Sequence, residues 1–150
     1  MTTLVQLINA KFSQHRLGLW LLFSCSISLL LIVYRMWHTG HLTYIFLVWN
    51  LFLAWIPLGM VGLLHRLRPS KTLLLLALPC WLAFFPNAPY VLTDLYHLKL
   101  RGGMPVWFDM LLILSFAWNS LMFGFLSLMQ LEQLLQQHFK PMVSLSLIHI

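Results

Sequence analysis

The chain has 150 residues, 61% of them hydrophobic and 8% charged, which leaves too little polar surface to keep a folded domain of this length in water. Its formal charge of +6 comes from nine Lys and Arg against three Asp and Glu. Seven of the nine cations sit in short seams beside four apolar blocks at 17–33, 42–64, 72–85 and 106–129. That is the distribution of membrane anchoring and not of a basic face for nucleic acid, so nucleic acid is discounted as a partner.

Ahead of the first block, Leu4, Ile8 and Phe12 recur at helical spacing with Lys11 beside them. The spacing predicts a short helix lying on the inner leaflet, with a frayed terminus as the alternative. The 17–33 block follows a basic flank as a secretory signal would. It lacks a small-residue cleavage site and runs into Tyr34-Arg35-Met36-Trp37, so it reads as an uncleaved span. At ~1.5 Å per residue, about 20 residues cross a hydrocarbon core of roughly 30 Å. By that measure the second and fourth blocks span, the first nearly does and the third falls short. Pro57, Gly59 and Gly62 read as kink and packing residues of the second block. Cys25 and Cys80, each alone in an apolar run, read as buried small hydrophobes.

The third block carries Pro79 and ends at Pro86-Asn87-Ala88-Pro89, where a straight helix must break. Beyond the break a helical pattern resumes. Tyr90, Asp94, His97 and Arg101 fall on one stripe and Val91, Leu95 and Leu98 on another, with Asn87 as the expected N-cap and Gly102-Gly103 as the stop. Such a segment either lies on the outer leaflet or dips into the bundle as a half-helix. In the fourth block Asp109, Ile113, Phe116, Ser120, Gly124 and Ser127 share one face, a carboxylate heading a stripe suited to close helix contact. Ser120 has no nearby base or nucleophile-elbow pattern. Asn50 and Asn119 lie well inside their blocks and must face other helices, because lipid satisfies no carboxamide. The seven tryptophans read as aromatic anchors, and Met104, Met110 and Met122 as apolar fill.

In a four-span arrangement Lys11, Arg16, Arg66, Arg68, Lys71 and Lys140 fall on one side and Arg35, Lys99 and Arg101 on the other. The positive-inside rule then puts the N-terminus and the 66–71 seam in the cytoplasm. The expected organisation is a cytoplasmic segment at 1–16, a transmembrane helical domain at 17–129 and a C-terminal segment at 130–150. The fold class is an all-α polytopic bundle of about four spans.

The string Trp81-Leu82-Ala83-Phe84-Phe85-Pro86-Asn87-Ala88-Pro89-Tyr90, with Thr93-Asp94-Leu95, Trp107-Phe108-Asp109 and Ser115-Phe116-Ala117-Trp118-Asn119, resembles a bacterial integral-membrane family of unknown function, domain-of-unknown-function family 1361. The resemblance covers residues 44–129. It implies a multi-span inner-membrane protein with further helices, so this chain is expected to be a piece of a larger bundle. Leu145-Ser146-Leu147-Ile148-His149-Ile150 resembles translated adapter sequence, the alternative being the start of a fifth span.

In the four-span arrangement His38, His41, Asp94, His97 and Asp109 gather at the outer side. Imidazoles and carboxylates of this kind can hold a divalent metal or work as an acid and base pair, although neither His38-x-x-His41 nor Asp94-x-x-His97 is a zinc signature by itself. The plainer roles are an ion pair of Asp94 with His97, Lys99 or Arg101, and a helix-dipole position for Asp109. The leading expectation is a structural or accessory membrane protein with an outer polar site of Asn87, Tyr90, Asp94 and Asp109, joined by Asn50 and Asn119. The alternatives are a small-molecule or ion transporter using the broken helix, and an intramembrane or metal-dependent enzyme using Asp94, His97 and Asp109. No cofactor is implied. The expected partners are the lipid bilayer and other helices, including a second copy of the chain.

Overall fold

The computed structural model describes residues 2–98 and 104–139, with side chains from residue 16 onward except that of His97. Lys99, Arg101, the Gly102-Gly103 stop, Lys140 and the 145–150 segment lie outside the described residues. Helix α1 runs over Thr2–Thr39, α2 over Phe46–Leu67, α3 over Lys71–Phe84 and α4 over Asn87–Tyr90; a 3₁₀ segment follows at Val91–His97, and α5 covers Val106–His138. Helices satisfy every backbone group within their own segment, which a bilayer demands. Four stretches, Arg16–Thr39, Phe46–Leu67, Lys71–Tyr96 and Val106–His138, are long and apolar enough to cross. The expected short helix at the N-terminus is not separate: α1 is continuous from Thr2 into the first span. Likewise α5 continues past the 129 boundary to His138, and 33 residues at ~1.5 Å each exceed the ~30 Å hydrocarbon core.

The connection between α2 and α3 is built by three adjacent residues. Arg68 takes the left-handed conformation at φ 46°, ahead of Pro69, which disfavours helix in the residue before it. Ser70 then caps α3, its hydroxyl accepting from the Leu73 N–H at 3.3 Å. The third span is interrupted at 85–86, as the prolines require. Pro86 has no N–H to donate to the ladder, so the chain turns, makes one turn of α4 and tightens into the 3₁₀ segment. Asn87 is not the N-cap that its residue type suggests. The N-cap is Pro86, in helical conformation, and the Asn87 amide reaches back to donate to the Phe84 carbonyl at 2.9 Å. Ala88, Val91 and Asp94 are buried and the 3₁₀ segment packs that face on α5, while Tyr90, Leu92 and Tyr96 point outward, so this stretch covers one side of the bundle.

α5 is the central element, packed by α1, α2, α4 and the 3₁₀ segment. Its stripe from Asp109 through Ile113, Phe116, Ser120, Gly124 and Ser127 is buried throughout. The apolar core forms two layers. One joins Ile32, Leu47, Leu51, Val91, Leu112 and Phe116 near the α1–α2 loop; the other joins Val61, Leu64, Leu74, Trp81, Leu131 and Leu134 toward the α2–α3 turn. α4 crosses α5 at Gly124, where an added Cβ would stand 2.8 Å from the Ala88 Cβ.

Four further residues differ from the sequence reading. Trp81 is no interfacial anchor: it is buried, stacks on Phe85 with ring centres 4.5 Å apart and donates through Nε1 to the Ser127 hydroxyl at 2.6 Å. Cys80 faces outward and Cys25 is half-buried. Gly62 is not a close-packing residue, since a Cβ there would meet nothing within 4 Å.

Candidate functional site

Two of the three acidic residues of the chain are buried near the α1–α2 loop end of the bundle. Asp109 stands in the first turn of α5, where the helix dipole favours negative charge, and Arg35 lies one turn before the end of α1. The guanidinium grips the carboxylate with two bonds, Nε to Oδ1 at 2.6 Å and Nη2 to Oδ2 at 2.9 Å. Both side chains are buried, at 3% exposure for Arg35 and 2% for Asp109. The Tyr44 ring covers the guanidinium at 4.4 Å, a cation–π contact strengthened by the same lack of solvent. Nη1 of Arg35 is buried without a hydrogen-bond partner among the described residues. Two charges taken out of water are tolerable only in each other's company and in good geometry, and this two-point pairing provides it.

Asp94, on the 3₁₀ segment, accepts a hydrogen bond from Asn50 Nδ2 of α2 at 2.9 Å. Further into the bundle Asn119 Nδ2 donates to the Ser28 hydroxyl of α1 at 2.9 Å and to the Ser115 carbonyl of its own helix. Asn119 Oδ1 and Ser120 Oγ are buried without partners among the described residues. Polar contacts therefore join α1 to α5 twice, α2 to the 3₁₀ segment and α3 to α5.

Of the residues singled out in the sequence, Asn50 and Asp94 are brought together. Asp109 and Asn119 each meet α1 instead. Tyr90 is exposed and Asn87 is occupied with the Phe84 carbonyl. His38 and His41 are exposed, the ring of His38 lying 6.0 Å from Tyr34 and the His41 backbone N–H donating to the Thr39 hydroxyl. The side chain of His97 lies outside the described residues, as do the other ion-pair partners considered for Asp94. Among the described residues no three His, Cys, Asp or Glu side chains gather as metal ligands. The arrangement ties helices together; each carboxylate is occupied by a partner on another element.

Arg35 and Ser28 are the partners that sequence reasoning passed over. A signal was present: Ser28, Ile32 and Arg35 follow the four-and-three spacing of one helix face, and all three are buried. Read that way, Arg35 continues a core stripe and is not a loop charge.

A family model described as a protein of unknown function (DUF1361) matches residues 49–150, more than half of the chain. It includes Asn50, Asp94, Asp109 and Asn119 and leaves Arg35 outside. No curated protein and no solved structure matches the chain.

Proposed function

We propose, for this chain, which belongs to the DUF1361 family, a structural or accessory role as a multi-pass membrane protein whose outer end is locked by buried polar pairs. The observation that carries this reading is the use of both buried aspartates in contacts between elements, Asp109 with Arg35 and Asp94 with Asn50. A catalytic or transporting carboxylate needs access to a reactant or an ion, whereas these are 1% and 3% exposed. Asn50→Leu keeps the approximate volume but withdraws the donor from Asp94. It is expected to cost about 1 kcal/mol, the scale of one interhelical hydrogen bond. The measurement is thermal unfolding of the detergent-solubilised protein. An unchanged melting temperature, together with Asn50-dependent flux in proteoliposomes, would replace this reading by a transporter.

The proposed placement is the cell's inner membrane, with the N-terminus and the α2–α3 turn in the cytoplasm. Arg66, Arg68 and Lys71 cluster at that turn, while Arg35 on the opposite side is neutralised by Asp109. Ser70→Cys, in a background lacking Cys25 and Cys80, is expected to resist a membrane-impermeant maleimide in intact cells and react after permeabilisation. Labelling in intact cells reverses the orientation.

A further inference from the structure

The two core layers differ in their use of α1. Ile32 of α1 belongs to the layer near the α1–α2 loop, with Leu21 and Cys25 packed against that layer; among the described side chains the other layer draws on α2, α3, α5 and the residues that follow α3 and α5. Toward Arg16 a cleft of about 370 Å³ lies between α1 and α2 with α5 as its floor. Leu17 and Gly18 form one wall, Gly59 and Gly62 the other, and Met129 and Gln133 part of the floor. The missing side chains keep it open, since a Cβ at Gly18 or Gly62 would touch nothing within 4 Å. Gln130 and Gln133 add carboxamides at the end of the cleft nearest the α2–α3 turn. Arg66, four residues after Gly62 and so on the same face of α2, is exposed one turn beyond the cleft.

We propose that this cleft is a phospholipid site, taking one acyl chain between α1 and α2 and the lipid phosphate at Arg66 and Gln133. Water is a poor occupant. At ~30 Å³ per molecule the volume is that of about 12 waters, each needing two to four polar partners, and most of the wall is hydrocarbon, with Gln130 and Gln133 its polar side chains. A lipid tail matches that hydrocarbon and comes from the medium around the four spans. Depth agrees with the position of the head group. From Phe46 to Arg66, α2 rises roughly 30 Å, the thickness of the hydrocarbon core, so the guanidinium stands at phosphate level. Its planar donor fork suits a phosphate, and exposed Arg68 and Lys71 beside it favour a head group of net negative charge.

The test reconstitutes the full chain in nanodiscs containing phosphatidylglycerol with a photoactivatable acyl chain and maps the adducts by mass spectrometry. Adducts concentrated on the peptides that contain Gly62 and Met129 are expected. Gly62→Leu, whose Cβ would meet nothing within 4 Å, puts a side chain into the cleft and should remove most of that labelling. Gly18→Leu does the same from the opposite wall and serves if the first variant fails to fold. Arg66→Gln should lower the preference for phosphatidylglycerol over phosphatidylcholine about fivefold, the factor corresponding to one basic residue at an anionic surface. Adducts spread evenly over the lipid-facing helices, or labelling unchanged in both leucine variants, overturn the proposal. So does a disulfide between two Gly62→Cys chains in nanodiscs, which would make the occupant a second copy.

Discussion

Asp109→Asn is expected to be the most damaging conservative substitution in the chain, at about 3–5 kcal/mol, because it leaves the Arg35 charge buried with no counter-charge. The asparagine retains an acceptor for one of the two guanidinium bonds, so the loss is chiefly one of charge and not of shape. Arg35 has little access to water in its present position: its side chain lies beneath Tyr44 and is 3% exposed. The double variant Arg35→Met with Asp109→Leu tests the same physics from the other side. Removing both charges removes both desolvation costs, and replacement of buried pairs by packed apolar residues is often neutral or stabilising. The double variant should therefore unfold at a higher temperature in detergent than Asp109→Asn does. If Asp109→Asn melts like the wild type, the pair does not hold the bundle and the structural reading of the outer site falls with it.

Gly124→Ala is expected to destabilise by about 1–3 kcal/mol, the cost of overpacking a well-filled core. The new methyl would lie 2.8 Å from the Ala88 Cβ, a distance that carbon atoms do not share, and neither atom belongs to a flexible side chain that can swing away. Relief requires α4 to move off α5, and α4 is a single turn between Pro86 and the 3₁₀ segment that carries Asp94. Ala88→Gly in the same chain removes the obstructing methyl and should recover most of the lost stability. The measurement is a double-mutant cycle on melting temperature, in which the pair loses less than the sum of the two single variants. Additive losses would place the strain somewhere other than this contact.

The second and fourth spans were legible in the sequence because hydropathy and length report directly on the solvent around a helix; the first and third reach spanning length only because α1 runs on to Thr39 and the third continues past its break to Tyr96, a break that was itself legible because Pro86 lacks an amide hydrogen. Asn50 and Asn119 were legible as residues facing other helices, since a carboxamide has no partner in lipid. Pairing was not. Arg35 and Asp109 are 74 positions apart, and a basic residue just beyond an apolar block looks the same whether it meets water or a carboxylate. Only the Ser28, Ile32 and Arg35 spacing carried the information, and it was masked by the position of Arg35 at a block edge. Asn87 misled for a local reason. Asparagine favours N-caps where the chain enters a helix from extended conformation, but Pro86 is already helical here, so the amide found a carbonyl behind it. Trp81 misled because interfacial tryptophans are common, and its hydroxyl partner Ser127 is 46 positions away.

The long separation of Arg35 from Asp109 also has a temporal side. Ribosomal synthesis delivers α1 to the bilayer well before α5 exists, so the guanidinium must first reside at the head-group boundary, its aliphatic stem in lipid and its charge in the aqueous layer. Arrival of α5, which brings Asp109, is then expected to draw that charge inward beneath Tyr44. Pairing of the first helix through Arg35 is thus deferred until translation has supplied α5, and a ribosome stalled before residue 106 is expected to leave that guanidinium without its carboxylate.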